Sequence, residues 1–197
     1  MDEPELHPRA GLATRPSTER LRTAFRELHG RHLHGFALLM TMGDRPRAAR
    51  LAADALEAGA AQAESLRHPE RAATWLRSHV VRHLRRSGSR RAARNAGERL
   101  ASLADLGVEP AVLAALTELG WRERALVVAE ALEGLGPLDV ATITGLDGRP
   151  LARLRQHAHE RYARSFAAAQ ATTDAPGTLS TGPLGDRIRA ALGGAWR

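Results

Sequence analysis

Apolar residues in the first half of the chain recur at spacings of three and four, which is the period of an amphipathic helix. One such run lies between Ser17, a predicted N-cap, and Gly43, a predicted terminator. Asp44 can cap a second helix whose first turn contains Pro46. A third run follows Pro69. The pattern therefore predicts three consecutive helices.

The second half repeats this pattern after a stretch of turn-forming and charged residues. Apolar periodicity resumes near residue 110 and gives two helices, then two shorter ones separated by GLDGR. No segment of length alternates strictly between apolar and polar residues, so the fold class predicted is all-α, with two small helical domains joined by a basic linker. The predicted boundaries are a disordered lead at 1–16, a first domain at 17–86, the linker at 87–108, a second domain at 109–167, and a flexible tail at 168–197 with one short amphipathic helix.

Positive charge is concentrated in two places. The net charge is +7, and all 29 basic residues are arginine. Residues 71–99 hold nine arginines against one glutamate, and residues 149–164 hold five against one, whereas the rest of the chain is net acidic. Uniform codon bias toward arginine does not produce that asymmetry. Two basic patches on an acidic background predict an anionic partner, such as nucleic acid or an anionic membrane.

Several classes of function are disfavoured. The absence of cysteine excludes disulfides, thiolate catalysis and cysteine-bound metals. His29, His32 and His34 are interpreted as ordinary histidines, because no nearby carboxylate completes a metal site. Catalytic and nucleotide-binding motifs are missing, so no enzyme activity and no cofactor are predicted. Neither a signal peptide nor a membrane-length apolar run is found, so we expect a cytoplasmic, nucleoid-associated protein without membrane insertion.

Residues 136–162 have the pattern of a helix-turn-helix. A short apolar helix is followed by a glycine-rich turn and a second helix with a buried stripe. The alternative is an ordinary helical hairpin with a solvated basic face. We favour the DNA-reading alternative, because arginine and glutamine side chains can bond base edges and phosphates. The residues predicted to face outward as the reading surface are Arg149, Arg153, Gln156 and His157.

A second basic segment, TWLRSHVVRHLRR at 74–86, has three possible interpretations. A membrane-surface helix is the weakest, because its apolar side is narrow and is interrupted by His79 and His83. A fully solvated helix is the second. We favour contact with nucleic acid, because closely spaced arginines repel one another unless an anion relieves them.

The order of these pieces resembles that of a small RNA polymerase sigma factor of the sigma-70 family, in the extracytoplasmic-function group. The resemblance covers about residues 20–165. It rests on order and spacing, with no single decisive motif. The matching positions in the first domain are Gly43, Asp44, Ala48, Leu51, Trp75, Leu76, Arg85 and Arg86, and those in the second are Leu116, Arg124, Val140, Ala141, Gly145, Leu151 and Ala158.

This resemblance implies a transcription-initiation protein that binds core RNA polymerase and promoter DNA as a monomer when free, with an anti-sigma factor as a further partner. The helix-turn-helix would bind the upstream promoter element. The residues implied for the start-proximal element are Trp75, Arg77, Arg82, His83, Arg85 and Arg86, and those for polymerase binding are Asp44, Arg50, Asp54 and Glu57.

The chain departs from the family pattern at the polymerase-binding helix and elsewhere. Ala49 and Arg50 stand where the family has an acidic pair, Ala53 replaces a glutamine, and Arg82 replaces an asparagine. The changes at Ala49, Arg50 and Ala53 favour a second hypothesis, a sigma-like DNA-binding regulator or protein-interaction module that no longer directs initiation. A third hypothesis is an unrelated helical regulator that senses a ligand or dimerises, for which a palindromic footprint would argue.

Overall fold

A computed structural model describes residues 18–63, 65, 66, 68–86, 103, 108–131 and 133–172. These residues form helices and no strand, which confirms the predicted all-α class for this part of the chain. The predicted lead, most of the predicted linker and the tail beyond Thr172 lie outside the described residues. The main helices are α1 (Thr18–Met40), α2 (Arg45–Ala60), α3 (Pro69–Arg86), α4 (Pro110–Glu118), α5 (Trp121–Ala131), α6 (Pro137–Thr144) and α7 (Gly148–Thr172).

The ends of these helices follow from local sequence. The side chain of Asp44 accepts a hydrogen bond of 3.1 Å from the backbone N–H of Arg47, so it caps α2 as predicted. Gly145 ends α6 in the left-handed conformation (φ 67°) that glycine adopts without strain. The N–H groups of Gly145 and Leu146 both donate to the carbonyl of Ala141, which closes the end of that helix.

Helices α1, α2 and α3 pack against one another around Phe36, Leu76 and Val80, none of which is exposed to solvent. Gly59 allows a close approach of α2 to its neighbours. A Cβ atom there would lie 2.8 Å from a ring carbon of Phe25 and 2.9 Å from a methyl carbon of Leu76, so a larger side chain has no room. The predicted amphipathic faces therefore become the interior of this half.

Helices α4 to α7 form the second half. The inner face of α7 packs on α4 and α5, and Leu151, Ala158 and Tyr162 on that face are buried as the spacing predicted. The helix continues to Thr172, past the predicted end near Phe166. Residues 168–172, which the sequence predicts as part of the tail, are therefore helical. Alanine, the strongest helix former, dominates this extension.

The two halves share what we call the central interface, formed by α3 with α6 and by the end of α1 with α5. The hydroxyl of Thr74 donates to the carboxylate of Asp139 (2.8 Å), and the guanidinium of Arg124 donates to the carbonyl of Met40 (3.1 Å). The buried apolar residues of both halves form one continuous cluster. The sequence predicted two domains on a linker, whereas in this structure the halves are packed together.

Candidate nucleic-acid interface

The outward face of α7 carries the four residues predicted to read DNA. Arg149, Arg153, Gln156 and His157 are all exposed, since they alternate at helical spacing with the buried residues of the inner face. Arg149 and Arg153 lie in the first turns of α7, next to the three-residue turn from α6. The structure therefore brings this predicted set together on one surface at one end of a helix.

Charge on this face is less than the sequence count implies. Arg155 donates a 2.7 Å hydrogen bond to Glu130, and Arg161 lies 3.3 Å from Glu123, so both are neutralised by α5. Arg149 and Arg153 form no hydrogen bond or ion pair with any other described residue. Because a helix N-terminus also favours anions, the uncompensated positive potential lies at the beginning of α7.

Glu123 fixes α7 to α5. Its carboxylate accepts a 2.7 Å hydrogen bond from the backbone N–H of Gly120, which caps α5, and lies 2.8 Å from Nδ1 of His157. Burial opposes ionisation of Glu123, but the Gly120 N–H, His157 and Arg161 outweigh it and lower the pKa of this carboxyl. His157 is thus partly committed to a structural contact, although its side chain is 63% exposed.

Replacing Glu123 by glutamine is expected to destabilise the protein at neutral pH and to have little effect in strong acid. The pKa of Glu123 is lowered by folding, so its ionised form contributes stability above the unfolded value of about 4.5, and that stability is lost as the pH falls through the folded value. Urea unfolding at pH 7 and at about pH 3, followed by circular dichroism, measures the difference. An equal loss at both pH values would contradict the ionic role.

The residues predicted for the start-proximal element lie on α3 in different environments. Arg82 is exposed, and it has no hydrogen bond or ion pair with another described residue. Trp75 is half-buried, with its ring 5.2 Å from that of His79, which in turn lies 4.2 Å from the ring of His83. The side chains of Arg85 and Arg86 lie outside the described residues. These residues share one helix, and among those whose side chains are described, Arg82 presents uncommitted charge to solvent.

Arg77 differs from the rest of that set, because it is buried in the central interface. It forms an ion pair with Glu133, and both side chains are only 9% exposed. A further guanidinium nitrogen donates to the carbonyl of Ala73 (2.9 Å), and the group lies 5.8 Å from the ring centre of Phe36. Contact of Arg77 with DNA stays a prediction, and in this arrangement its guanidinium is enclosed by protein.

The residues predicted to bind polymerase lie along α2. Arg50 and Asp54 are exposed, and Glu57 forms an exposed ion pair of 2.6 Å with Arg26 of α1. Asp44 has a structural role as the helix cap described above. The exposed surface of α2 therefore presents Arg50, Asp54 and Glu57 together, beside Ala49.

The described residues form neither a metal site nor a membrane-spanning helix. Among the described residues, no group of three or more histidine, aspartate or glutamate side chains is arranged to hold a metal ion. His29, from the predicted histidine trio, is buried, and burial together with Arg77 and His32 lowers its pKa. None of the described helices has the length and apolar character that crossing a membrane requires.

Sequence reasoning missed four residues that shape this region. The neighbouring sequence of Glu123 and Glu133 is that of ordinary surface acids, because the residues with which they pair lie far away in the chain. Trp121 and Arg122 begin α5 and face α3 across the central interface. The only local sign of their role was that Trp121 and Arg122 follow Gly120, which separates α4 from α5.

Comparison with known proteins adds no assignment, because no family model, no curated protein and no solved structure matches the chain.

Proposed function

We propose that the chain is a sigma-type transcription-initiation protein that binds core RNA polymerase and recognises promoter DNA. The observation that carries the proposal is the unit of α6, a three-residue turn and α7, with Arg149 and Arg153 exposed and uncompensated at the start of α7. In this proposal the unit is a helix-turn-helix, and the first turns of α7 enter the major groove of the upstream element.

The chemistry of the outward face is suited to that role. Arginine can donate two hydrogen bonds to a guanine edge and can also neutralise phosphates, and glutamine can pair with adenine in the same way. Gln156 now donates a 3.0 Å hydrogen bond to Glu160, an exposed contact that a base edge can replace at little cost. The buried opposite face holds α7 on α4 and α5, so the reading surface is presented on a rigid helix.

The first half of the chain would supply the polymerase contact and a second DNA contact. The exposed surface of α2 is the proposed polymerase-binding site, and Arg82 on α3 is the proposed start-proximal contact. Because Trp75 and Arg82 border the central interface, full access of DNA to α3 requires α6 to move away. Two weak contacts on one chain reinforce each other through effective concentration.

Binding of the purified chain to core RNA polymerase from the same organism is the direct test of this function. We expect a stable one-to-one complex in gel filtration at moderate salt. The variant Ala49→Asp/Arg50→Glu, which restores the acidic pair of the family, is the matched comparison. No association of the native chain, together with binding of the restored variant, would instead support a regulator that has lost polymerase.

That second candidate function has its own observation. Ala49 is exposed and Arg50 replaces an acid with a base on the proposed polymerase-binding surface, which reverses the charge expected there. A DNA-binding regulator that does not direct initiation needs α7 but not this surface. Salt-sensitive DNA binding without polymerase association identifies this alternative.

Replacing Arg149 and Arg153 by alanine together is expected to lower affinity for specific DNA about 10- to 1,000-fold and to reduce the salt dependence of binding. The reason is that both guanidiniums are free to contact phosphates or bases. Fluorescence anisotropy with a labelled duplex at several salt concentrations measures both effects. The control is Arg164→Ala, an exposed arginine farther along α7, for which a small change is expected. Equal losses in both variants would contradict a reading surface at the start of α7.

A further inference from the structure

The central interface contains a half-open cavity of about 490 Å³. It lies where the middle of α3, the beginning of α5 and the end of α6 meet. Its distinctive lining residues are two tryptophans and two arginines, Trp75 and Arg82 from α3 and Trp121 and Arg122 from α5. The volume falls within the range of roughly 300–1,000 Å³ that is typical of pockets for small organic ligands.

The charge of this cavity is positive and uncompensated. Among the described residues that line it, none is an aspartate or a glutamate. Arg82 has no ion pair with another described residue. The guanidinium of Arg122 lies 4.7 Å from the ring centre of Trp121, and it too forms no ion pair within the described ranges. The cavity therefore has two available positive charges and selects for an anionic ligand.

One polar atom in the wall has no partner. The Nε atom of Arg122 is buried and makes no hydrogen bond within the described part of the chain. A buried donor without an acceptor costs free energy, and native proteins rarely leave one unsatisfied. Nε has almost no accessible surface, so it becomes available to a bound anion only if the Arg122 side chain turns. The terminal nitrogens of this guanidinium are not buried in this way, and they are the donors that an anion in the cavity would contact.

The remaining polar groups limit the chemistry further. The hydroxyls of Ser78, Thr142 and Thr144 donate hydrogen bonds of 2.7 to 2.9 Å to carbonyls of their own helices. Their oxygens can still accept hydrogen bonds, for example from the amino groups of a heterocyclic ring. The two indoles are half-buried, and each has a neighbour against its ring, His79 beside Trp75 and the Arg122 guanidinium over Trp121, so a planar ligand ring would stack on the opposite faces. The complementary ligand is planar, aromatic and anionic, with donor groups on the ring.

We propose that this cavity binds a free mononucleotide, with the base against Trp75 and Trp121 and the phosphate on Arg82 and Arg122. A nucleotide has all three features that complement the lining residues, namely a planar ring, hydrogen-bond donors on that ring and an anionic group. Residues from both halves of the chain line the site, whose size suits a small free molecule. The site shares Trp75 and Arg82 with the proposed start-proximal DNA contact, but its test needs neither polymerase nor promoter DNA, so the two proposals can fail separately.

Titration calorimetry of the full chain with AMP and with GMP tests this proposal. We expect saturable one-to-one binding of at least one nucleotide, with adenosine or guanosine and inorganic phosphate each binding at least about tenfold more weakly. Arg82→Ala and Trp75→Ala are expected to weaken binding at least about tenfold. Arg82 is exposed, so its replacement leaves the fold intact. The matched control is Arg71→Ala, an exposed arginine on the same helix that does not line the cavity.

Each of the following results would overturn the proposal. These are no binding of either nucleotide, inorganic phosphate binding as tightly as the nucleotide, affinity unchanged in Arg82→Ala, and equal weakening in Arg71→Ala. A short single-stranded oligonucleotide provides a further comparison. If it binds more than about tenfold tighter than the mononucleotide and depends on the same residues, the ligand is a strand and the free nucleotide is excluded. Circular dichroism of each variant confirms that a lost affinity is not lost folding.

Discussion

Replacing Arg77 by methionine is expected to lower the free energy of unfolding by about 3–5 kcal/mol at neutral pH. The substitution leaves the Glu133 carboxylate buried in the central interface without its counter-charge, and a buried unpaired charge is costly. Urea unfolding followed by circular dichroism measures the loss. The double variant Arg77→Met/Glu133→Leu removes both charges and is expected to lie within about 1 kcal/mol of the native protein.

The control for this prediction is the exposed pair between Arg26 and Glu57, whose side chains are 48% and 57% exposed. Glu57→Gln is expected to cost less than about 1 kcal/mol, because solvent screens a surface ion pair. A single Arg77→Met variant that costs no more than this control would show that the Arg77–Glu133 pair is not buried in solution.

The same variant has an expected pH dependence. Burial raises the pKa of Glu133, against the opposing effect of Arg77. Removing Arg77 raises that pKa further, so the folded variant holds its proton more strongly than the unfolded chain does. Its stability then falls as the pH rises from the unfolded value of about 4.5 through the folded value. The penalty of Arg77→Met is therefore expected to be smaller near pH 4 than at pH 7.

Replacing Arg124 by methionine is expected to cost about 3 kcal/mol. Its guanidinium donates to the carbonyls of Leu116 (2.9 Å) and Leu119 (2.9 Å) at the end of α4, and to that of Met40 (3.1 Å) at the end of α1. Burial lowers the pKa of Arg124 to about 10, so the side chain is charged at neutral pH. The loss is measured by thermal and urea unfolding.

Arg124→Lys is expected to restore only part of that stability, because one ammonium cannot reproduce the planar fork that reaches three carbonyls. Arg71→Met, at an exposed position on α3, is the control and should change stability by no more than about 0.5 kcal/mol. Full rescue by lysine would mean that charge alone, rather than the geometry of these hydrogen bonds, matters at this position.

The helices were predictable because their signals are local. Asp44 and Pro46 mark the beginning of α2, and Pro137 and Gly145 bracket α6, with no information needed from elsewhere in the chain. The buried face of α7 followed from spacing alone. The outward placement of Arg149 and Arg153 followed from the same spacing.

The central interface was not predictable, because its contacts join residues that are distant in sequence. From the neighbouring sequence, Arg77 is only one more arginine in a basic segment, and nothing near it in the chain predicts an ion pair with Glu133. Likewise Arg155 counts toward the second basic patch until Glu130 on α5 is seen to neutralise it. Counting arginines in the sequence therefore overestimates the positive charge that a surface presents, because some of these arginines pair with carboxylates once the helices pack together.

The polar contacts across the central interface also bear on how freely the two halves can be exchanged by recombination. Thr74 requires an acceptor like Asp139, and Arg77 requires Glu133, so each half carries one member of every pair. A chimera that takes α1–α3 from one homologue and α4–α7 from another would bury unmatched polar groups unless both members travel together. Substitutions at these positions are accordingly expected to be inherited as pairs.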